Sequence, residues 1–185
     1  MKPTTKTDFD LGEVRRILEP GPVVLVTSQH KGERNIMTMG WHMMLGFTPA
    51  LFGCYIWPGN HSHELIRKSK QCVINVPTRA LLDQVVGIGN TTGKDFDKFE
   101  HFGLTAEDAE HVDVPLIGEA YANFECRLHD GSKVGSYNLF IWEIVRARVA
   151  AEPAHPETLH YLGRGEFMVA GKIVNCRHRF KPQNL

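Results

Sequence analysis

Apolar residues along this chain come in runs about one strand long, separated by polar or glycine- and proline-containing breaks. Pro20-Gly21-Pro22 opens the first run, Val23-Val24-Leu25-Val26, which Thr27 and Ser28 continue; a strand is predicted over 23–28. The polar stretch 29–34 holds Gly32 and fits a hairpin connection into a second strand over 35–39. A third strand is expected over 51–56. Trp57-Pro58-Gly59-Asn60 interrupts it, and a helix follows to about Lys70 with Leu65 and Ile66 facing inward. Residues 72–76 form a compact strand stopped by Pro77. Leu81, Leu82, Val85 and Val86 recur at helical spacing over 79–87, and 88–114 is mostly polar, helical or irregular. A strand over 121–128 follows. Residues 137–151 read as one long, bent barrel strand in which Leu139, Ile141, Val145, Ala147 and Val149 alternate imperfectly.

Strands with inserted helices but no regular βαβ rhythm favour a mainly antiparallel β-barrel with peripheral helices (α+β) over a doubly wound sheet. No repeat, low-complexity tract or long linker divides the chain, so residues 1–185 read as one domain. A chain of this length buries roughly 70% of its unfolded surface and needs no disulfide or metal for stability. The cysteines agree. Cys54, Cys72, Cys126 and Cys176 show no C-x-x-C spacing, and three lie in apolar strand-like runs, which reads as buried free thiols in a reducing compartment.

Charge narrows the partners. The 21 basic and 21 acidic side chains cancel, leaving no overall field to steer the protein to nucleic acid or an anionic membrane. No apolar run approaches the ~20 residues of a spanning helix, and residues 1–8 lack the apolar core of a secretory signal. A cytoplasmic protein without nucleic-acid or membrane partners is expected.

Several chemistries fall away. Neither Gly87-Ile88-Gly89 nor Gly163-Arg164-Gly165 completes a dinucleotide fingerprint, and no phosphate-loop lysine pattern exists. Among ten histidines the closest groupings are His61-x-His63, His155-x4-His160 and Cys176-x-His178. None has a second cluster at ligand spacing, so they read as exposed loop histidines and no metal site is expected. There is no G-x-S-x-G nucleophile.

What remains lies mainly between residues 23 and 77. Trp41 beside a strand would commonly be core, yet Asn35, Thr38 and His42 make its setting polar. An aromatic platform with amide groups suits a large planar heterocycle. Ser62, at the predicted helix start, reads either as a cap or as a hydroxyl that adds an anion to that cap, where free N–H groups and the helix dipole favour one. Thr91-Thr92-Gly93-Lys94 reads as a polar loop that, with Lys98, supplies a second cationic patch for a phosphate. A flavin mononucleotide (FMN) has both ends.

These pieces resemble the flavin reductase-like family, the FMN-binding split barrels that include flavoredoxins and the reductase partners of two-component monooxygenases. The resemblance runs from about Pro20 to Phe180. It is carried by the Pro22–Ser28 strand, by Asn35-Ile36-Met37-Thr38-Met39-Gly40-Trp41-His42, and by His61 to Ser69 running into Val73-Ile74-Asn75-Val76-Pro77. Thr92 to Phe99, Gly103-Leu104-Thr105 and Leu159-His160-Tyr161-Leu162-Gly163 follow in the same order. The resemblance implies a homodimer with one noncovalent FMN per subunit near the interface. Asn35 and Trp41 would flank or hydrogen-bond the ring, with Met37, Thr38 and Met39 running past it. Ser62 and Lys98 would hold the phosphate, and Phe167 matches an aromatic position beside the cofactor. Many relatives carry Gly-Asp-His before the long late strand; Gly135-Ser136-Tyr137-Asn138 puts Tyr137 in place of that histidine, where it could stack on the ring or donate to it. The implied activity is an oxidoreductase passing reducing equivalents from NAD(P)H to flavin, ferric or protein acceptors. Its alternatives are a flavoredoxin-like carrier that docks a protein donor without binding nicotinamide, or a flavin-binding protein without turnover. No general acid or base is identified.

Overall fold

The computed structural model describes residues 3–14 and 21–184; Pro20, expected to open the first strand, lies outside the described residues. Seven strands share one sheet: β2 (Val24–His30), β3 (Glu33–Met39), β4 (His42–Gly46), β5 (Leu51–Tyr55), β6 (Gln71–Val76), β9 (Ala122–Asp130) and β10 (Leu139–Ala150). Their order is β3-β2-β6-β9-β10-β5-β4, and β1 (Lys6–Asp8) adds an eighth strand against the far end of β10. Every pairing is antiparallel. β3 and β4 are joined by two residues yet stand at opposite ends of this path. The sheet curls without a pairing between them among the described residues, which makes it a split barrel.

Helix α1 (His61–Ser69) packs on β2 and β3, α2 (Leu82–Gly89) on β3, and the short α3 (Lys98–His101) on the same strand. A second short helix, α4 (Val134–Tyr137), leads into β10, and two small hairpins complete the fold: β7 (Ala106–Glu107) with β8 (Leu116–Ile117), and β11 (Leu159–Gly163) with β12 (Glu166–Val169).

Strand β2 explains its own sequence. Val24 and Val26 enter the barrel interior with Phe52, Phe124, Phe140 and Trp142, while Val23 and Leu25 meet Leu81, Val85, Ile88 and Phe99 beneath α2 and α3. A strand buried on both faces has no polar alternation to show. In β10, register shifts between Ile141 and Trp142 and between Ile144 and Arg146 bend the strand. Phe140, Trp142 and Ile144 are buried, whereas Leu139 and Ile141 lie half-buried on the other face. The expected alternation through Leu139 and Ile141 therefore follows the outer face, and the second shift returns Ala147 and Val149 to the core.

Asn60, and not Ser62, caps α1: its Oδ1 accepts the Ser62 N–H at 3.0 Å. Lys70 closes the helix in the left-handed region at φ 57°. Cys54, Cys72 and Cys126 are buried free thiols, as expected, and Cys176 is half-buried and free.

Candidate functional site

Three elements meet around Asn35. The turn after β5 delivers the first turn of α1 against the paired strands β2 and β3, where Ser28 and Asn35 sit opposite one another. Ser28 Oγ lies 3.2 Å from Ser62 Oγ, and Asn35 Nδ2 donates to that same oxygen at 2.9 Å. All three side chains are buried. Asn35 Oδ1 is buried too and has no hydrogen-bond partner, which costs a carbonyl about 1–3 kcal/mol unless something supplies a donor. Over it lies the backbone of Gly93. A Cβ at residue 93 would collide with the Asn35 amide, so the loop can approach only because this residue is glycine. The first turn of α1 adds its positive dipole end to the same neighbourhood.

The cations around this cluster have different tasks. Lys98, expected to hold a phosphate, is almost fully buried. Its Nζ donates to Ile36 O at 3.0 Å, Ile88 O at 2.9 Å and Thr91 O at 2.8 Å. All three ammonium protons are thereby used, so Lys98 ties β3, α2 and the 91–95 loop together and does not present itself to a ligand. Burial pushes its pKa down to about 8, leaving it mainly charged at neutral pH. Arg34 is held by Asp97, Nε to Oδ2 at 2.6 Å, while Asp97 also caps α3. Lys94, beside Gly93, is exposed with no ion pair among the described residues. Among the described residues it is a free cation beside the loop that covers Asn35. Sequence reading placed it in the patch with Lys98 but could not tell which of the two pointed inward.

The other residues expected along β3 divide by strand geometry. Met37 and Met39 point into the barrel core, so their side chains are not available to a ligand there. Thr38 Oγ1 donates to Val85 O at 2.7 Å, fixing α2 to the strand. The β3 backbone is different. Ile36 O turns away from β2 to meet Lys98, and antiparallel alternation puts the Thr38 N–H and C=O on that same free edge.

At the far end of β3, Trp41 is 72% exposed and its ring lies 5.3 Å from Tyr55. It is a surface platform and not core. Tyr137 ends α4 beside the tip of β5, where Asn138 O accepts the Ile56 N–H, and is 67% exposed. Phe167 is half-buried against the outer core and leans on Tyr161 at 5.1 Å. The structure thus gathers Asn35, Ser62 and the Gly93 loop at one end of the strand, and Trp41, Tyr55 and Tyr137 at the other. Five residues, four of them in β3, separate Asn35 from Trp41, a span of up to roughly 20 Å.

The histidines also need a correction. His61 and His63 are half-buried on α1 and not on a loop. His63 packs edge-on against Phe140, and burial lowers its pKa, opposed by a hydrogen bond the ring donates to the Asn138 side chain. His42 stacks on Phe52 and bonds to Pro22 O at 2.7 Å; burial lowers its pKa and the carbonyl opposes the shift. Among the described residues no cluster of His, Cys, Asp or Glu could hold a metal ion. No helix among them is long and apolar enough to cross a membrane.

Known proteins point the same way. The model of the flavin reductase like domain matches residues 15–171. An uncharacterised protein of Pyrococcus abyssi is 35% identical over 70% of this chain and 74% of its own length. The uncharacterised YddH of Escherichia coli is 30% identical over 91% of this chain and 96% of its own. The crystal structure of an FMN-binding domain of a flavin reductases-like enzyme from Shewanella baltica superposes with a TM-score of 0.88 at 26% identity, covering 95% of this chain and 100% of that one. Flavoredoxin of Desulfovibrio vulgaris shares the fold, with a TM-score of 0.75 at 23% identity over 84% of this chain and 89% of its own.

Proposed function

The chain belongs to the flavin reductase-like domain family, and from that premise we propose that it is an FMN-dependent oxidoreductase passing reducing equivalents from NAD(P)H to a flavin, ferric or protein acceptor. The observation that carries the reading is the buried Asn35 Oδ1, an acceptor without a donor beneath the first turn of α1 and the Gly93 loop. A ligand N–H or hydroxyl would satisfy it. A noncovalent FMN fits the residues present. The free edge of β3 at Thr38 offers backbone groups to a planar ring, and Trp41 with Tyr55 offers an aromatic surface to it. Lys94 and the start of α1 offer charge to a phosphate. When bound, the flavin supplies a ring that accepts and returns a hydride.

The chain's own part is to bind and orient. Asn35, Ser28 and Ser62 fix one end through a shared hydroxyl, and Lys98 acts indirectly by anchoring the 91–95 loop. Tyr137 and Phe167 border the platform end. A homodimer belongs to the same reading. Trp41 just before β4, Met43 and Leu45 of β4, Leu51 and Tyr55 of β5, and Leu139 and Ile141 of β10 form a largely apolar outer sheet face that is half-buried or exposed. An edge of this kind is normally covered.

FMN titration tests the core of the reading: stoichiometric uptake with quenching of tryptophan fluorescence is expected, and no binding at micromolar FMN would overturn it. Rapid mixing of the loaded protein with NADH and with NADPH tests the donor. Bleaching of the flavin band supports the reductase, whereas reduction by a protein donor alone leaves an electron carrier of the flavoredoxin kind.

A further inference from the structure

Beyond residue 171, where the match to the family domain ends, the chain adds no strand to the sheet and no α-helix among the described residues. Residues 171–184 form no strand or α-helix, only two 3-10 turns, Arg177–Arg179 and Pro182–Asn184. Their hydrogen bonds are local: Arg177 N–H to Asn175 Oδ1, Arg179 N–H to Cys176 O and Phe180 N–H to Arg177 O. None joins the arm to the rest of the chain among the described residues. Yet the arm is not built like a solvated tail. Ile173, Val174 and Phe180 are 59%, 71% and 56% exposed, three large apolar side chains within eight positions and without cover.

Charge sets the arm apart as well. It carries Lys172, Arg177, Arg179 and Lys181 and no acidic residue. The rest of the chain therefore keeps all 21 acidic side chains against the remaining 17 basic ones. A neutral protein is in fact an acidic body with a basic arm of equal and opposite charge. Such an arm is drawn to a body of this composition. In the single chain no hydrogen bond or ion pair ties it to its own body among the described residues. Extended, residues 171–184 reach up to about 45 Å, enough to cross the face of a neighbour whose radius of gyration is about 16 Å.

We propose that the C-terminal arm of each subunit docks on the body of a second copy of this chain, burying Ile173, Val174 and Phe180 there and pairing its cations with acidic groups of that copy. The proposal rests on the dimer in the preceding reading and adds the element that would clasp it.

Cys176 makes the test direct, because it is the one cysteine that is not buried. The full-length protein is labelled there with a benzophenone maleimide, mixed with an unlabelled, affinity-tagged copy, equilibrated and irradiated. The dimer constants of Val174→Asp and of a chain ending at Ala170 are measured by sedimentation alongside. Covalent pairs of labelled and tagged chains, with at least a tenfold weaker dimer in both variants, are the expected result. Crosslinks confined to the labelled chain in a protein that still sediments as a dimer would overturn the arm exchange and leave the dimer standing. So would variants that dimerise as tightly as the parent. A full-length protein that sediments as a monomer would remove both.

Discussion

Lys98 shows how a residue can matter to a site it does not touch. Removing its ammonium strands three carbonyls on three separate elements, so Lys98→Met should destabilise the protein by about 3 kcal/mol. It should also weaken FMN and riboflavin binding by the same factor, since the loop and not a phosphate contact is lost; titrating both ligands into the variant checks this. The pH dependence has a definite sign. Burial takes the lysine from its ordinary 10.5 to about 8, so between those values the unfolded chain holds a proton that the folded one has released. Stability contributed by this group therefore rises with pH across that window. Denaturation at pH 7.5 and 9.5 should show the parent gaining on Lys98→Met. Gly93→Ala makes a sharper case: its methyl would strike the Asn35 amide, and FMN affinity should fall at least tenfold, with Asn35→Ala in the same chain restoring part of the fit. The sequence marked Asn35 and Ser62 as polar site residues but set them at opposite ends of the ligand, Asn35 with Trp41 and Ser62 with Lys98, whereas the fold joins them by a hydrogen bond. The sequence could not say that Lys98 turns inward while Lys94 turns out, since the direction of a long flexible side chain is decided by which carbonyls the fold leaves unpaired.

Helix α1 owes its start to Asn60, and through that start the Ser62 hydroxyl is fixed where Ser28 and Asn35 can share it. Losing the cap costs about 1 kcal/mol. Asn60→Ala should therefore lower the melting temperature by several degrees at most, and any larger proportional loss in FMN affinity, read by titration at a temperature well below melting, would report the displaced hydroxyl. The helix was legible because Leu65 and Ile66 bury one side and Trp57-Pro58-Gly59 breaks the strand before it. Strand β2 was legible for the opposite reason, an unbroken apolar run with cover on both faces. Strand β4 was not. Its exposed positions, Met43 and Leu45, are apolar, and its inward ones, His42 and Met44, are mixed, so the usual rule of polar outside and apolar inside fails along it. The small β11–β12 hairpin was likewise missed, because Tyr161, Leu162 and Met168 are exposed there.

That inversion on β4 belongs to the whole molecule. The side chains that break the alternation continue across two neighbouring strands as Leu51, Tyr55, Leu139 and Ile141, and none of the helices α1 to α3 lies over these strands, since each packs toward β2 and β3. Leu45 is close enough to Gly53 that a Cβ there would meet its Cδ1 at 2.8 Å, so the leucine lies flat across the glycine and smooths the surface. This face is apolar except at one margin, where Glu143 stands opposite Leu51, and an apolar patch of this kind favours cover by another surface. If the second surface is the same face of another copy, a charge at its middle is repeated across the twofold axis and opposes itself. Leu45→Glu should then convert a particle of about twice the 20.9 kDa chain mass into a monomer, measured by sedimentation, while leaving the fold intact because the side chain is exposed in the single chain. FMN affinity measured on that monomer tells how the site is built: binding that falls with the dimer places part of the pocket on the partner, and binding that survives keeps Asn35, Ser62 and Trp41 sufficient within one chain.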